Sequence, residues 1–141
     1  MSADDGSLVT SDSLAGRRYI LYFYPKDDTP GCTTQACGIR DSWSRVTGTG
    51  IDLFGVSPDS VKSHAKFRAK YALPYPLLAD EGHRVAEAFG VWIEKTFAGR
   101  TYFGNERTTF VIGPGDEVRY EHLDTDSTDH APLDEVLAAL P

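Results

Sequence analysis

Residues 19–24, Tyr-Ile-Leu-Tyr-Phe-Tyr, constrain the fold more than any other stretch of this chain. An unbroken apolar run with no polar alternation needs cover on both faces, which predicts a central buried strand. Pro25 ends it, and Lys26-Asp27-Asp28 form a polar loop. Thr29 suits an N-cap and Pro30 the first helical position. Apolar residues then recur at Cys32, Ala36, Ile39, Trp43 and Val46, at spacings of 4, 3, 4 and 3. That spacing traces one face of a single helix, closed by Gly48 and Gly50.

The alternation continues along the chain. Residues 51–57 predict a second buried strand, and Pro58-Asp59 opens a helix reaching Tyr71 with Val61, Ala65, Phe67 and Tyr71 inward. Pro74 and Pro76 bracket a turn before a short strand at 77–79. Val85, Ala86 and Phe89 mark a helix closed by Gly90. Residues 94–104 show no regular pattern. Residues 107–112 predict a strand, and the turn Gly113-Pro114-Gly115-Asp116 returns 118–122 as its hairpin partner. A polar loop at 124–129 and a C-terminal helix at 132–140 complete the order. The expectation is one α/β domain over residues 1–141, with a central mixed β-sheet flanked by helices. Right-handed crossovers would give that sheet a parallel core and an antiparallel edge.

A chain of 141 residues buries a real core without disulfides or a structural metal. Its net charge of −7 opposes binding to phosphate backbones, so no nucleic-acid partner is expected. No apolar run approaches the roughly 20 residues that span a bilayer, so no membrane partner is expected either. Residues 1–6 lack the basic and apolar regions of a signal peptide, which makes the cytoplasm the default location. Two cysteines cannot build a secreted disulfide framework. His64, His83, His122 and His130 show no metal-type spacing and are expected to be exposed or locally hydrogen-bonded. No cofactor and no metal are expected.

Cys32 carries the chemical interest. It falls in the first turn of a helix that follows a buried strand, where unpaired backbone N–H groups and the helix dipole favour an anion. Such a place activates a thiolate. It also lies beyond the carboxyl end of a strand, where open α/β sheets bind ligands. Position alone does not separate this reading from a small buried hydrophobe.

The surrounding residues do. Pro25-Lys26-Asp27-Asp28-Thr29-Pro30-Gly31-Cys32 holds Pro, three residues, Thr, two residues and Cys. This closely resembles the peroxiredoxin motif, and residues 21–33 are similar to the Q-type branch, the bacterioferritin comigratory proteins. The resemblance implies a thioredoxin-like fold. It implies that Cys32 is the peroxidatic cysteine, Thr29 a hydroxyl that hydrogen-bonds the peroxide, and Pro25 a shield. It maps the family's arginine onto Arg107, at the head of Arg107-Thr108-Thr109-Phe110. Arg100 is the nearest alternative. The chemistry suits these types: the transition state needs donors at both peroxide oxygens, from Thr29 and the N–H groups of Gly31 and Cys32. A permanently charged, forked cation then holds the thiolate.

Cys37 matches the position at which this branch often carries a resolving cysteine. In an intact helix, five residues rise about 7.5 Å and turn about 140°. A disulfide needs its Cα atoms within about 7 Å. Resolution would therefore require the first turns to unwind, which Gly31, Gly38, Thr33 and Thr34 would ease. The alternative is a core Cys37 with an external resolving thiol. The implied cycle runs through a Cys32 sulfenic acid, a Cys32–Cys37 disulfide and reduction by thioredoxin or a similar dithiol. The implied substrates are hydrogen peroxide and organic hydroperoxides, and the branch leans towards monomers over dimers.

The similarity runs from about Gly6 to the C-terminus. Family members carry further residues before Gly6, so either the native start lies upstream of Met1 or the N-terminal hairpin is shortened. A general disulfide oxidoreductase normally uses Cys-x-x-Cys, which is absent. A redox sensor or binding protein is the non-enzyme alternative; Trp43, Trp92, Phe97, Tyr102 and Phe103 could form an apolar surface, or be core and active-site rim.

Overall fold

Strand β2 (Tyr19–Phe23) has all five residues buried and runs through the middle of the sheet. The computed structural model describes residues 1–115 and 118–123. Among these, β1 (Ser2–Ala3), β2, β3 (Asp52–Ser57), β4 (Leu77–Ala79), β7 (Thr108–Ile112) and β8 (Val118–Leu123) form one sheet in the order β1-β4-β3-β2-β7-β8. β2 pairs with β3 and β3 with β4 in parallel, while β7 lies antiparallel to both β2 and β8. The sheet is therefore the expected one, with a parallel core and an antiparallel edge. β1 occupies the opposite edge, antiparallel to β4.

The apolar run explains the layering. Ile20, Tyr22 and Tyr24 join one core cluster, and Tyr19, Leu21 and Phe23 the other. Period-two alternation sends neighbouring side chains to opposite faces, so the run needs cover on both. The first face is covered by α2 (Pro30–Asp41), α3 (Trp43–Thr47) and α4 (Val61–Tyr71), through Cys32, Ala36, Val46 and Phe67. The second is covered by α1 (Ser11–Leu14) and α5 (Arg84–Ala88), through Leu14 and Ala86. No helix among the described residues is long and apolar enough to cross a membrane.

Three expectations need correction. The single helix after Thr29 is two: Ser42 (φ −108°, ψ 17°) leaves helical geometry between α2 and α3. Its apolar face is nonetheless continuous, with Ile39 and Trp43 packed against the same cluster as Cys32, Ala36 and Val46. Residues 94–104 are not irregular, for β5 (Trp92–Phe97) and β6 (Arg100–Asn105) form a separate antiparallel hairpin. Its turn puts Ala98 (φ 53°) and Gly99 (φ 77°) in the left-handed region, a geometry that Asn-Gly announces in sequence and Ala-Gly does not. In α4, Ala65 is exposed and His64 takes the inward position. The expected loop at 124–129 and helix at 132–140 lie outside the described residues, as does Asp116.

Candidate active site

Thr29 is the N-cap of α2 and Pro30 its first residue, so Cys32 sits in the first turn. An N-cap hydroxyl usually accepts the N–H two or three residues on. Thr29 does not; its Oγ1 donates to the Lys26 carbonyl at 2.9 Å. First-turn N–H groups have no intrahelical acceptor, so those of Gly31 and Cys32 are left for a ligand. The Thr29 proton is already committed, so the hydroxyl offers a ligand its lone pairs rather than a hydrogen.

The Cys32 thiol is 2% exposed. Arg107 Nη2 donates to its Sγ at 3.2 Å, and Nη1 donates to Gln35 Oε1 at 2.8 Å. Arg107 immediately precedes β7, and it and Gln35 are both buried. Gln35 lies one turn after Cys32, so α2 presents the thiol and the Arg-holding amide side by side. Sequence reasoning passed over Gln35; its only signal is the i, i+3 spacing from Cys32. The nearest alternative cation, Arg100, is exposed at the start of β6.

Lys95, on β5, is a second cation near the centre. Its Nζ donates to the Asn105 carbonyl oxygen. Burial, then the neighbouring positive charge of Arg107, push its ammonium pKa below the ordinary lysine value. Asn105 Nδ2 donates to the Tyr24 carbonyl at 3.2 Å, tying the β5–β6 hairpin to the end of β2. Tyr102 and Phe103 are exposed on that hairpin.

The loop between β2 and α2 is anchored from below. Asp27 accepts from the Tyr24 hydroxyl at 2.6 Å and the Ser63 hydroxyl at 2.9 Å, and its N–H donates to Asp59 Oδ2 at 2.7 Å. His64, fully buried, places Nδ1 2.7 Å from Asp27 Oδ2 and Nε2 2.9 Å from the Leu78 carbonyl. Each ring nitrogen therefore has a partner, and the imidazole bridges the Asp27 loop to β4. His64 is thus neither exposed nor locally bonded, contrary to the sequence expectation. Asp27, Asp59 and His64 bring ligand-type atoms within 4.8 Å of one another, but these atoms already serve this hydrogen-bond network.

Pro25 is half-buried between Tyr24 and this loop, and Gly31 is half-buried beside Cys32. Cys37 is also half-buried, and both cysteines are free thiols. They lie on the same unbroken helix, α2. The arrangement offers a buried thiol under a guanidinium, free N–H donors, and a hydroxyl acceptor at the helix mouth.

Residues 1–121 match the AhpC/TSA family. The chain is 41% identical to peroxiredoxin Bcp of Escherichia coli K12 over 126 residues, covering 89% of this chain and 81% of that one. It is 47% identical to peroxiredoxin Bcp of Bacillus subtilis over 112 residues, covering 79% and 71%. Among solved structures, a Xanthomonas campestris bacterioferritin comigratory protein studied for alkyl peroxide reduction superposes with a TM-score of 0.87 at 37% identity, covering 98% and 87%. BcpB of Mycobacterium tuberculosis superposes with a TM-score of 0.83 at 33% identity, covering 99% and 88%.

Proposed function

The chain belongs to the AhpC/TSA family, in its Bcp or Q-type peroxiredoxin branch, and we propose that Cys32 is the thiolate with which it attacks peroxide. As a peroxiredoxin it is a thiol-dependent, peroxide-reducing oxidoreductase with a thioredoxin-like fold. The observation that carries the assignment to Cys32 is the Arg107 guanidinium 3.2 Å from its sulfur. A fixed cation beside a buried thiol favours the thiolate and polarises an approaching O–O bond.

In the proposed step, Cys32 sulfur attacks the terminal oxygen of hydrogen peroxide or an organic hydroperoxide. The S–O bond forms as the O–O bond breaks, leaving a sulfenic acid and a hydroxide or alkoxide that solvent protonates. Arg107 and the N–H groups of Gly31 and Cys32 donate to the oxygens as charge develops. Thr29, its own proton held by Lys26, accepts from the peroxide O–H and orients it. Pro25 restricts access from the loop side. Every one of these groups comes from one chain, so a monomer holds a complete site.

Cys37 then attacks the sulfenic sulfur, releasing water and closing a Cys32–Cys37 disulfide. Both cysteines sit in α2, so its first turns unwind for this step. A cytoplasmic dithiol donor of thioredoxin type restores the thiols by exchange. Mass spectrometry of protein treated with one equivalent of peroxide tests the resolving role. An internal Cys32–Cys37 bridge is expected; a persistent sulfenic acid beside a free Cys37 would assign resolution to an external thiol.

A further inference from the structure

Tyr75, in the loop between α4 and β4, donates its hydroxyl hydrogen to the Ala36 carbonyl oxygen at 3.0 Å. Its oxygen lies 2.9 Å from the hydroxyl of Tyr22 on β2. Tyr75 has one hydroxyl hydrogen, committed to Ala36, so Tyr22 is the donor in that pair. A hydrogen-bonded chain therefore runs from the sheet, through Tyr75, into the second turn of α2.

Its end point is telling. The Ala36 carbonyl and the Cys37 N–H belong to one planar peptide unit. A bond to that carbonyl pins the backbone of Cys37 itself. Ala36 and Tyr75 are each 0% exposed, so water does not compete for the bond. Burial, the largest cause, raises the pKa of both tyrosines above the ordinary value, which keeps both hydroxyls protonated and able to donate. The Trp43 ring packs 5.5 Å from that of Tyr75, bracing the same turn.

We propose that the Tyr22–Tyr75–Ala36 chain is a latch that sets how readily α2 unwinds at Cys37, and so how the Cys32 sulfenic acid is partitioned. This rests on the reading of Cys37 as the resolving thiol. A closed latch keeps α2 helical and Cys32 in its peroxide-reactive place. Once the sulfenic acid forms, two fates compete. Cys37 condenses with it and releases water, or a second peroxide oxidises it to sulfinic acid, itself being reduced to water or alcohol. Each moment that the latch stays closed favours the second fate. Tyr22 and Tyr75 are positioning residues, acting through the backbone of Cys37.

The test is rapid-quench alkylation and mass analysis of wild type, Tyr75→Phe and the double variant Tyr22→Phe/Tyr75→Phe. Removing a buried hydrogen bond of this kind corresponds to about a three- to tenfold change in equilibrium. Disulfide formation from the sulfenic acid is expected to accelerate by about that factor in both variants, with less sulfinic acid at high peroxide. The single variant strands the Tyr22 hydroxyl and loses stability to urea. The double variant removes both groups and recovers stability while keeping the fast resolution. Resolution that is fast in the single variant but normal in the double would mark a structural role and overturn the latch. So would a disulfide that forms at the same rate or more slowly in both. Absence of any Cys32–Cys37 disulfide in wild type is a different failure, that of Cys37 as resolving thiol.

Discussion

Arg107 grips Cys32 and Gln35 with the two terminal nitrogens of one guanidinium, 3.2 Å from the sulfur and 2.8 Å from the amide oxygen. The sulfur and the amide oxygen, both acceptors, stand one turn apart on α2, so the helix fixes the fork and the fork fixes the sulfur. A lysine carries the same charge but cannot span both partners. Arg107→Lys should therefore lower the second-order rate of peroxide reduction by about 10²-fold or more, the usual cost of losing a donor aimed at a developing charge. Competitive consumption assays against a reference peroxidase would measure it, and a rate within twofold of wild type would rule out the fork.

Gln35 separates orientation from charge. Gln35→Leu keeps Arg107 but removes its second anchor. The rate should fall by about tenfold, within the range of a hydrogen bond to a charged group. A change in stability alone, with the rate intact, would make Gln35 a packing residue.

His64 and Asp27 form a buried pair, with side chains 0% and 4% exposed. Removing one partner leaves the other's buried polar group without its match, which costs about 1–3 kcal/mol. His64→Leu should show a loss of that size in urea unfolding. A loss below about 1 kcal/mol would mean that the Tyr24 and Ser63 hydroxyls satisfy Asp27 without the imidazole.

Asp28 lies in the left-handed region (φ 57°), and its carboxylate accepts from Lys70 Nζ at 2.8 Å and the Tyr71 hydroxyl at 2.9 Å. Those two bonds, Lys70 first, hold its pKa below the ordinary 3.8. A depressed carboxylate contributes stability above its unfolded value and loses it as pH falls through the folded one. Asn adopts the same backbone region, so Asp28→Asn isolates the charge. Wild type should be slightly the more stable at neutral pH, with the gap closing below about pH 4 and in high salt. A gap independent of pH would exclude the ion pair as its source.

How much of this was legible depended on whether the deciding force was local. The strand at 19–24 was readable because its apolar run demands two covered faces, and both core clusters meet it. The apolar face of α2 and α3 was readable too, since a break at Ser42 does not interrupt it. The break itself depends on backbone angles that no side-chain pattern there announces. The β5–β6 hairpin was missed because it is largely solvent-facing, so burial imposes no clean alternation. Cys32 and Arg107 were nominated by motif, but their contact joins residues 75 positions apart. Gln35 and His64 acquire their partners only in the fold; in sequence each looks like an ordinary polar helix residue. Thr29 shows the opposite case: its place was legible, but which way its hydroxyl points was not.

The most direct test of the account is stopped-flow oxidation of Cys32→Ser protein by hydrogen peroxide, with Cys37 and Arg107 intact and a thioredoxin-type reductant supplied. The account predicts that peroxide consumption falls to the uncatalysed background while the far-ultraviolet spectrum stays that of wild type. Turnover persisting at the wild-type rate would contradict it, and would move the peroxide-reactive thiol from Cys32 to Cys37.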